Sequence, residues 1–225
     1  MEETESWTFE SKEIADIFDD HVREQLPWYD MASQFVADIA ACYLPINGTL
    51  IDIGASTGNM SYLLKDQIKS KNLNVHNIEP STEMLKQWKG VGYTHCMKAE
   101  DFKFKQYPAN VYVMFLSLMF VPSEERHGLI ERICRHAKTG SAIIIVDKCQ
   151  LATTQVASKV AHLASKKRLN VTGSDYINKE LSLRGIQVPT NKKLLLDHFN
   201  FHRYDTELIF QFGEFYGVLA VKECI

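Results

Sequence analysis

The residues with the clearest chemical potential lie in the stretch Leu50 to Asn59, LIDIGASTGN. Thr49 to Ile53 reads as a short buried strand, Gly54-Ala55-Ser56-Thr57-Gly58 as a tight turn, and Asn59 as the opening of a helix. A glycine turn at a helix N-terminus bares backbone N–H groups and lets a ligand lie close to the main chain. Asp52, at the end of the strand, places an acid beside a site that otherwise favours anions. Such a pocket suits a ligand that carries positive charge. Glu79 stands 25 residues beyond Gly54, at the end of a second expected strand (Leu73 to Ile78), and Pro80 follows it. A strand, a glycine turn, a helix and a second strand ending in an acid compose a βαβ unit. In such units the acid, at an interval of about 20 residues, accepts hydrogen bonds from ribose hydroxyls.

A nucleoside with a cationic end meets both requirements, and S-adenosyl-L-methionine, with its ammonium and sulfonium, is such a ligand. Asp52 is then expected to orient the ammonium, directly or through water. Gly54, Ala55, Ser56 and Gly58 let the backbone approach, Glu79 and Pro80 hold the ribose, and Ala99 with Glu100 flank the adenine, Asp101 being the alternative acid. Phe115 ends the fourth strand, where open α/β sheets place their reaction centre. Trp28 and Tyr29 stand just after Pro27, at a break between two helices. Tyr29 there either closes the pocket or fills core. No catalytic base can be assigned from the sequence; Ser117, Asp147 and Tyr176 are candidates. His198 and His202 have i, i+4 spacing, but a helix end is expected between them and no third ligand is evident, so no metal site is expected.

The elements that must position these residues follow from the apolar periodicity. Helices are expected from Phe9 to Leu26 and from Tyr29 to Tyr43, and another from Gly58 to about Ser70. A further helix should follow Pro80, with Met84, Leu85 and Trp88 as its apolar face. Strands are expected near Tyr93 to Met97, Val111 to Leu116 and Ala142 to Asp147. Ser123-Glu124-Glu125 should cap a helix that Thr139-Gly140 ends. The alternation stops at residues 150–188, which suggest two helices, Thr153 to Lys166 and about Ser174 to Leu183. After a short helix from Lys192 to Phe199 come two strands, Thr206 to Phe212 and Phe215 to Lys222, joined by the hairpin turn Gly213-Glu214. The expected fold class is therefore α/β: a seven-stranded Rossmann-like sheet, mostly parallel, with a C-terminal antiparallel hairpin. Residues 1–45 read as a helical cover and 46–225 as the ligand-binding domain with a helical insert at about 150–193.

A chain of 225 residues with 45% apolar content can bury one substantial core. No apolar run is long enough to span a membrane, and the acidic start MEETESWTFESKE does not read as a signal peptide. The five cysteines are scattered and never form a CxxC pair, which suits reduced thiols in a cytoplasmic protein. The net charge of −3 hides a polarity: residues 1–30 balance to −8, whereas residues 151–193 balance to +6. The basic stretch is either a surface for an anionic partner such as a nucleic acid or a solvated helical face. Small-molecule and nucleic-acid substrates both stay open on this reading, and the opposed charges also allow self-association.

Beyond these patterns the chain resembles a known family. Asp52-Ile53-Gly54-Ala55-Ser56-Thr57-Gly58 looks like motif I of class I methyltransferases, with serine where the central glycine usually stands. The carboxy-S-adenosyl-L-methionine synthases of transfer-RNA wobble-uridine modification share that serine. Phe18-Asp19, Leu26-Pro27-Trp28-Tyr29, Glu79-Pro80-Ser81-Thr82-Glu83-Met84, Val121-Pro122-Ser123-Glu124-Glu125-Arg126, Lys167-Arg168-Leu169-Asn170 and Leu208-Ile209-Phe210-Gln211-Phe212 are similar to further segments of that family. The resemblance implies the methyltransferase fold, S-adenosyl-L-methionine or its carboxylated form as cofactor, prephenate as carboxyl donor, and a homodimer. Two departures stand out. Phe115 or a neighbour occupies the place of an asparagine that contacts the cofactor's carboxylate, and Lys192 to Asp197 lacks the arginine expected to hold the extra carboxylate. Loss of such a charge-assisted pair forfeits roughly 1.5–3 kcal/mol. The sequence reading therefore favours plain S-adenosyl-L-methionine and methyl transfer to a small molecule or nucleic-acid base. The alternatives are carboxy-S-adenosyl-L-methionine synthesis and a partner protein that binds the cofactor without catalysis.

Overall fold

The computed structural model describes residues 8–151, 153, 155–157, 159, 160, 163, 181–183 and 185–223. The expected helices at about 153–166 and 174–183, most of the basic insert, and Tyr176 therefore fall largely or wholly outside the described residues.

Five strands run parallel: β1 (Thr49–Ile53), β2 (Asn74–Ile78), β3 (Tyr93–His95), β4 (Val111–Phe115) and β5 (Ala142–Lys148). β6 (Tyr204–Phe212) and β7 (Phe215–Lys222) complete a seven-stranded sheet of order β3-β2-β1-β4-β5-β7-β6. β7 lies antiparallel to both β5 and β6. The reversal comes from the hairpin turn, where Gly213 takes φ 60°, a conformation that costs glycine nothing. The final strand is thus inserted between β5 and β6 rather than added at the edge.

The central strands β1, β4 and β5 are buried along almost their whole length and largely apolar because both faces of the sheet are covered. Side chains alternate across the sheet, and two cores result. Ile51, Ile53, Tyr112, Met114, Ile143 and Ile145 pack on one face, with Leu129 and Ile133 of α6 (Ser123–His136) and Leu195 and Phe199 of α7 (Lys192–Phe201). Leu50, Val111, Val113, Ile144 and Val146 pack on the other, with Val36, Ala37 and Ala40 of α2 (Tyr29–Tyr43). The spacing of Val36 and Ala40 is one helical turn, and the small alanines let α2 lie close to the sheet.

Several boundaries differ from expectation. The single helix expected after Gly58 is two, α3 (Asn59–Leu63) and α4 (Lys65–Ser70), because the fully buried Leu64 leaves helical geometry at φ −90°, ψ 4°. The helix after Pro80 is only α5 (Thr82–Lys86), capped by the Ser81 hydroxyl accepting from Met84 N. α6 starts at Ser123 with Pro122 as its N-cap and no side-chain cap, so the expected serine cap is absent. α7 runs two residues further than expected, to Phe201, with His202 as its C-cap. α1 (Lys12–Gln25) starts with the Ser11 hydroxyl accepting from Ile14 N and ends just before Pro27, where proline would remove a donor and clash with the preceding turn.

Candidate active site

A cavity of about 350 Å³ opens at the carboxyl ends of the parallel strands, between the sheet and α1. This is where open α/β sheets place their ligands. Of the residues singled out in the sequence, Tyr29, Asp52, Gly54, Ala55, Ser56, Glu79, Pro80, Ala99, Glu100 and Phe115 all line it. Gly58 does not. It takes φ 88° as the residue before α3, and a Cβ there would meet Gly90 N at 2.6 Å. Its part is to let the turn pack on the neighbouring loop.

The glycine turn differs in kind from the expected cradle of bare N–H groups. Gly54 N and Ala55 N both donate to Ile78 O, at 2.8 and 3.0 Å, and Gly58 N donates to Ala55 O at 2.8 Å. Ser56 N donates to Glu79 Oε2 at 2.8 Å. These donors are already used, so the turn is no anion cradle of the phosphate-binding kind. Glycine at 54 serves close packing instead: at φ 75°, its missing Cβ would lie 2.3 Å from Ser117 Cβ. Ser117 in turn donates its hydroxyl to Ile53 O at 2.7 Å, tying the exit of β4 to the end of β1.

Two buried acids dominate the electrostatics. Asp52 is 2% exposed, and its Oδ2 has no hydrogen-bond partner. Burial, with the Glu79 charge adding to it, pushes its pKa up to about 7. An uncompensated buried carboxyl is costly, and it points to a ligand that supplies the missing donor. Glu79 accepts from Ser81 N at 2.9 Å through Oε1, besides the Ser56 contact. Burial raises its pKa while these two backbone donors lower it. Each carboxylate oxygen keeps a further lone pair, which fits a pair of ribose hydroxyls.

The walls are apolar. Tyr29 is buried and meets Phe115 edge to face at 5.4 Å between ring centroids. Asn59 donates to its hydroxyl at 3.5 Å, while burial raises the pKa of the phenol well above its ordinary value. Trp28, by contrast, is core, with Phe210 and Phe215 both at 5.0 Å. Asp101 is exposed and lies off the cavity, whereas Arg132 holds Glu100 O at 3.2 Å.

Sequence reasoning missed two parts of the wall. Phe18, Val22 and Gln25 of α1 close one side, with Phe9. The apolar periodicity of α1 marks a buried face but not what that face covers. Asp19 clamps the helix in place, accepting from Thr57 Oγ1 at 2.8 Å and pairing with Lys89 Nζ at 2.6 Å. The Ser81 hydroxyl adds a bond to Phe9 O at 2.6 Å. At the far end stand Lys148, Leu183, Gln187 and Phe215. A single lysine at the end of β5 gave no signal.

Of the candidate bases, Ser117 lines the cavity, whereas Asp147 is fully buried behind it. Asp147 accepts from Lys148 N and Thr190 Oγ1, and its pKa is pushed up to about 7, chiefly by burial. α7 does not reach the cavity: Leu194 is 66% exposed and Lys193 pairs with Asp197 on the surface. His198 meets both His202 and His127 of α6, at 4.7 and 4.5 Å between rings, and the helix end expected between the first two falls at Phe201, with His202 as the C-cap. Among the described residues, no group of three or more His, Cys, Asp or Glu is disposed to hold a metal ion.

Comparison with known proteins agrees with this geometry. Residues 51–145 match the family model described as "Methyltransferase domain", and that match, together with the curated relatives below, is to S-adenosyl-L-methionine-dependent enzymes. The plantazolicin methyltransferase BpumL in complex with S-adenosylhomocysteine is 12% identical over 95% of this chain and 90% of its own, with a TM-score of 0.62. Magnesium protoporphyrin IX methyltransferase from Synechocystis PCC 6803 reaches a TM-score of 0.59 at 12% identity, over 93% and 98% of the two chains. Among curated proteins the chain is similar to carboxy-S-adenosyl-L-methionine synthases. That of Staphylococcus epidermidis is 28% identical over 96% of this chain and 97% of its own length. The Ruthia magnifica protein is 27% identical over 96% and 94%.

Proposed function

We propose that the protein is a carboxy-S-adenosyl-L-methionine synthase that takes its carboxyl group from prephenate, with the product serving transfer-RNA wobble-uridine modification. The observation that carries this reading is colinearity. Similarity to the synthases runs over 96% of the chain, far past the 51–145 stretch that methyltransferases in general share. When bound, S-adenosyl-L-methionine supplies a methyl carbon already activated by the sulfonium. In this reading Asp52 holds the ammonium and Glu79 with Pro80 the ribose. Ala99 and Glu100 flank the adenine, and Gly54, Ala55 and Ser56 shape the close approach. Tyr29 and Phe115 exclude water from the reacting end. Positioning and dryness, rather than elaborate acid–base machinery, are what the chain contributes. Residues 1–45 act as the cover and 46–225 as the binding domain.

Methyl transfer is the second reading, favoured by Phe115 in the cavity wall and by the exposed, arginine-free α7. The mass of the ligand that co-purifies with the protein separates the two. A carboxylated cofactor, or its formation from S-adenosyl-L-methionine and prephenate, supports the first. Bound S-adenosyl-L-methionine with no carboxylated product in that incubation overturns it. The described cysteines Cys42, Cys96, Cys134 and Cys149 are free thiols, which supports a cytoplasmic setting, and no helix among the described residues is long and apolar enough to cross a membrane. The homodimer implied by the resemblance is part of the same proposal, and the choice between nucleic-acid and small-molecule substrate falls to prephenate.

A further inference from the structure

The cavity is electrically two-ended. Asp52 and Glu79 stand at one end, and Lys148, the last residue of β5, at the other. Asp52 pairs with Val113 of β4 and Val113 with Ile144 of β5, and Lys148 lies four residues further on. At about 4.8 Å between strands and 3.3 Å per residue, the two Cα atoms are roughly 16 Å apart. Lys148 thus stands two strands away from Asp52 and beyond the end of the strand that carries it, on the other side of the cavity mouth.

Lys148 is 7% exposed, and its Nζ meets Glu214 Oε1 and Gln187 Oε1, both at 3.2 Å. Ammonium–carboxylate contacts close to about 2.7–2.9 Å when well made, so the pair with Glu214 is loose, while the Gln187 contact is an ordinary hydrogen bond at the long end of its range. Glu214 sits in the β6–β7 turn, and its carbonyl accepts from Cys149 N at 2.7 Å. Its backbone is therefore fixed whichever way the side chain points. The lysine is fixed too, because Lys148 N donates to the buried Asp147. A buried ammonium needs a counter-charge, and another carboxylate can supply it as well as Glu214 does.

We propose that Lys148 is the residue that holds a carboxylate of the second substrate, with Glu214 as the resident counter-ion that this carboxylate displaces. The proposal rests on the reading above that a carboxylate-bearing co-substrate enters beside S-adenosyl-L-methionine. Lys98 and His21 also line the cavity, but Lys98 adjoins Ala99 and His21 belongs to α1. Lys148 alone stands at the end of the central sheet, beside the apolar surface of Leu183 and Phe215 that would receive a carbon ring.

Titration calorimetry of the protein saturated with S-adenosylhomocysteine tests it, with prephenate and, separately, phenylpyruvate as probes. Lys148→Met keeps the apolar stem and should weaken binding of the carboxylate at least about tenfold, with the affinity for S-adenosylhomocysteine unchanged. Glu214→Gln removes the competing charge and should tighten carboxylate binding severalfold. Opposite signs in the two variants are the signature, because a purely structural pin would lower thermal stability in both and improve binding in neither. Equal prephenate affinity in wild type and Lys148→Met overturns the proposal while leaving the synthase reading intact. Lys148-dependent binding of phenylpyruvate without any binding of prephenate supports the proposal and sinks the synthase reading. Binding of neither probe by the wild-type protein overturns the proposal as well.

Discussion

Replacing Asp52 by asparagine should move stability and ligand binding in opposite directions. Its folded pKa stands at about 7, against an ordinary carboxyl value of 3.8, with burial as the main cause and Glu79 as the second. The native state therefore binds the proton more tightly than the unfolded chain. The stabilisation from the protonated form is complete below about pH 4 and is lost as pH rises through 7. At pH 8 the loss is on the order of 4 kcal/mol at most. Asp52→Asn escapes it, so the ligand-free variant should melt higher than wild type at pH 8 and about equally at pH 4. Binding runs the other way. An ammonium favours the ionised carboxylate, so wild-type affinity for S-adenosylhomocysteine should climb about tenfold per pH unit below 7 and level off above. The asparagine variant should show no such slope. At pH 8 it forfeits a charge-assisted contact of ~1.5–3 kcal/mol, or roughly 10- to 150-fold in Kd. Thermal unfolding and titration calorimetry between pH 4 and 8.5 measure both effects. A variant with wild-type affinity at pH 8 and the wild-type pH slope would refute the assignment of Asp52 to the ammonium.

Gly54→Ala should cost at least about 1–3 kcal/mol, since the new Cβ meets Ser117 Cβ at 2.3 Å in a left-handed backbone; a melting temperature within a degree of wild type would show that the β1 turn is looser than described. Asp19→Ala removes the Thr57 and Lys89 contacts of α1. The ion pair is partly exposed and contributes little, so about 1 kcal/mol from the hydroxyl contact is expected. The effect should be local: faster amide exchange in Lys12–Gln25 and faster release of S-adenosylhomocysteine, with the rest of the sheet unchanged. Uniformly faster exchange across all strands would mean that α1 is a structural keystone rather than a cover.

Much of the architecture was legible because doubly covered strands must be apolar throughout. Thr49–Ile53 and Phe215–Lys222 have the expected bounds, and β5 extends its run by one residue. The strand-end acids were legible for a related reason: Asp52 and Glu79 stand at the ends of successive strands, at the interval a βαβ unit imposes. The division of the α3–α4 segment was not legible. Leu63 and Leu64 continue a helical pattern, and only packing of Leu64 against the sheet decides where the ladder breaks. Gly58 was misplaced for a similar reason, since its closest neighbour, Gly90, is 32 residues away.

The sequence by itself determined the fold class and the two acids that line the cavity, because strand periodicity, a glycine turn and strand-end acids are local features. Tertiary structure alone decided that Ile78 and Glu79 take up the N–H groups of Gly54, Ala55 and Ser56, leaving a site that attracts cations at one end. It also decided that α1 roofs the cavity and that Lys148 meets Gln187 and Glu214 across 39 and 66 residues of chain. The reason is physical. A side chain's type is written in the sequence, but its partner and its dielectric surroundings are set by whatever distant element the core brings against it. Asp52 is an ordinary strand-end acid until burial without a donor makes it a receptor for positive charge.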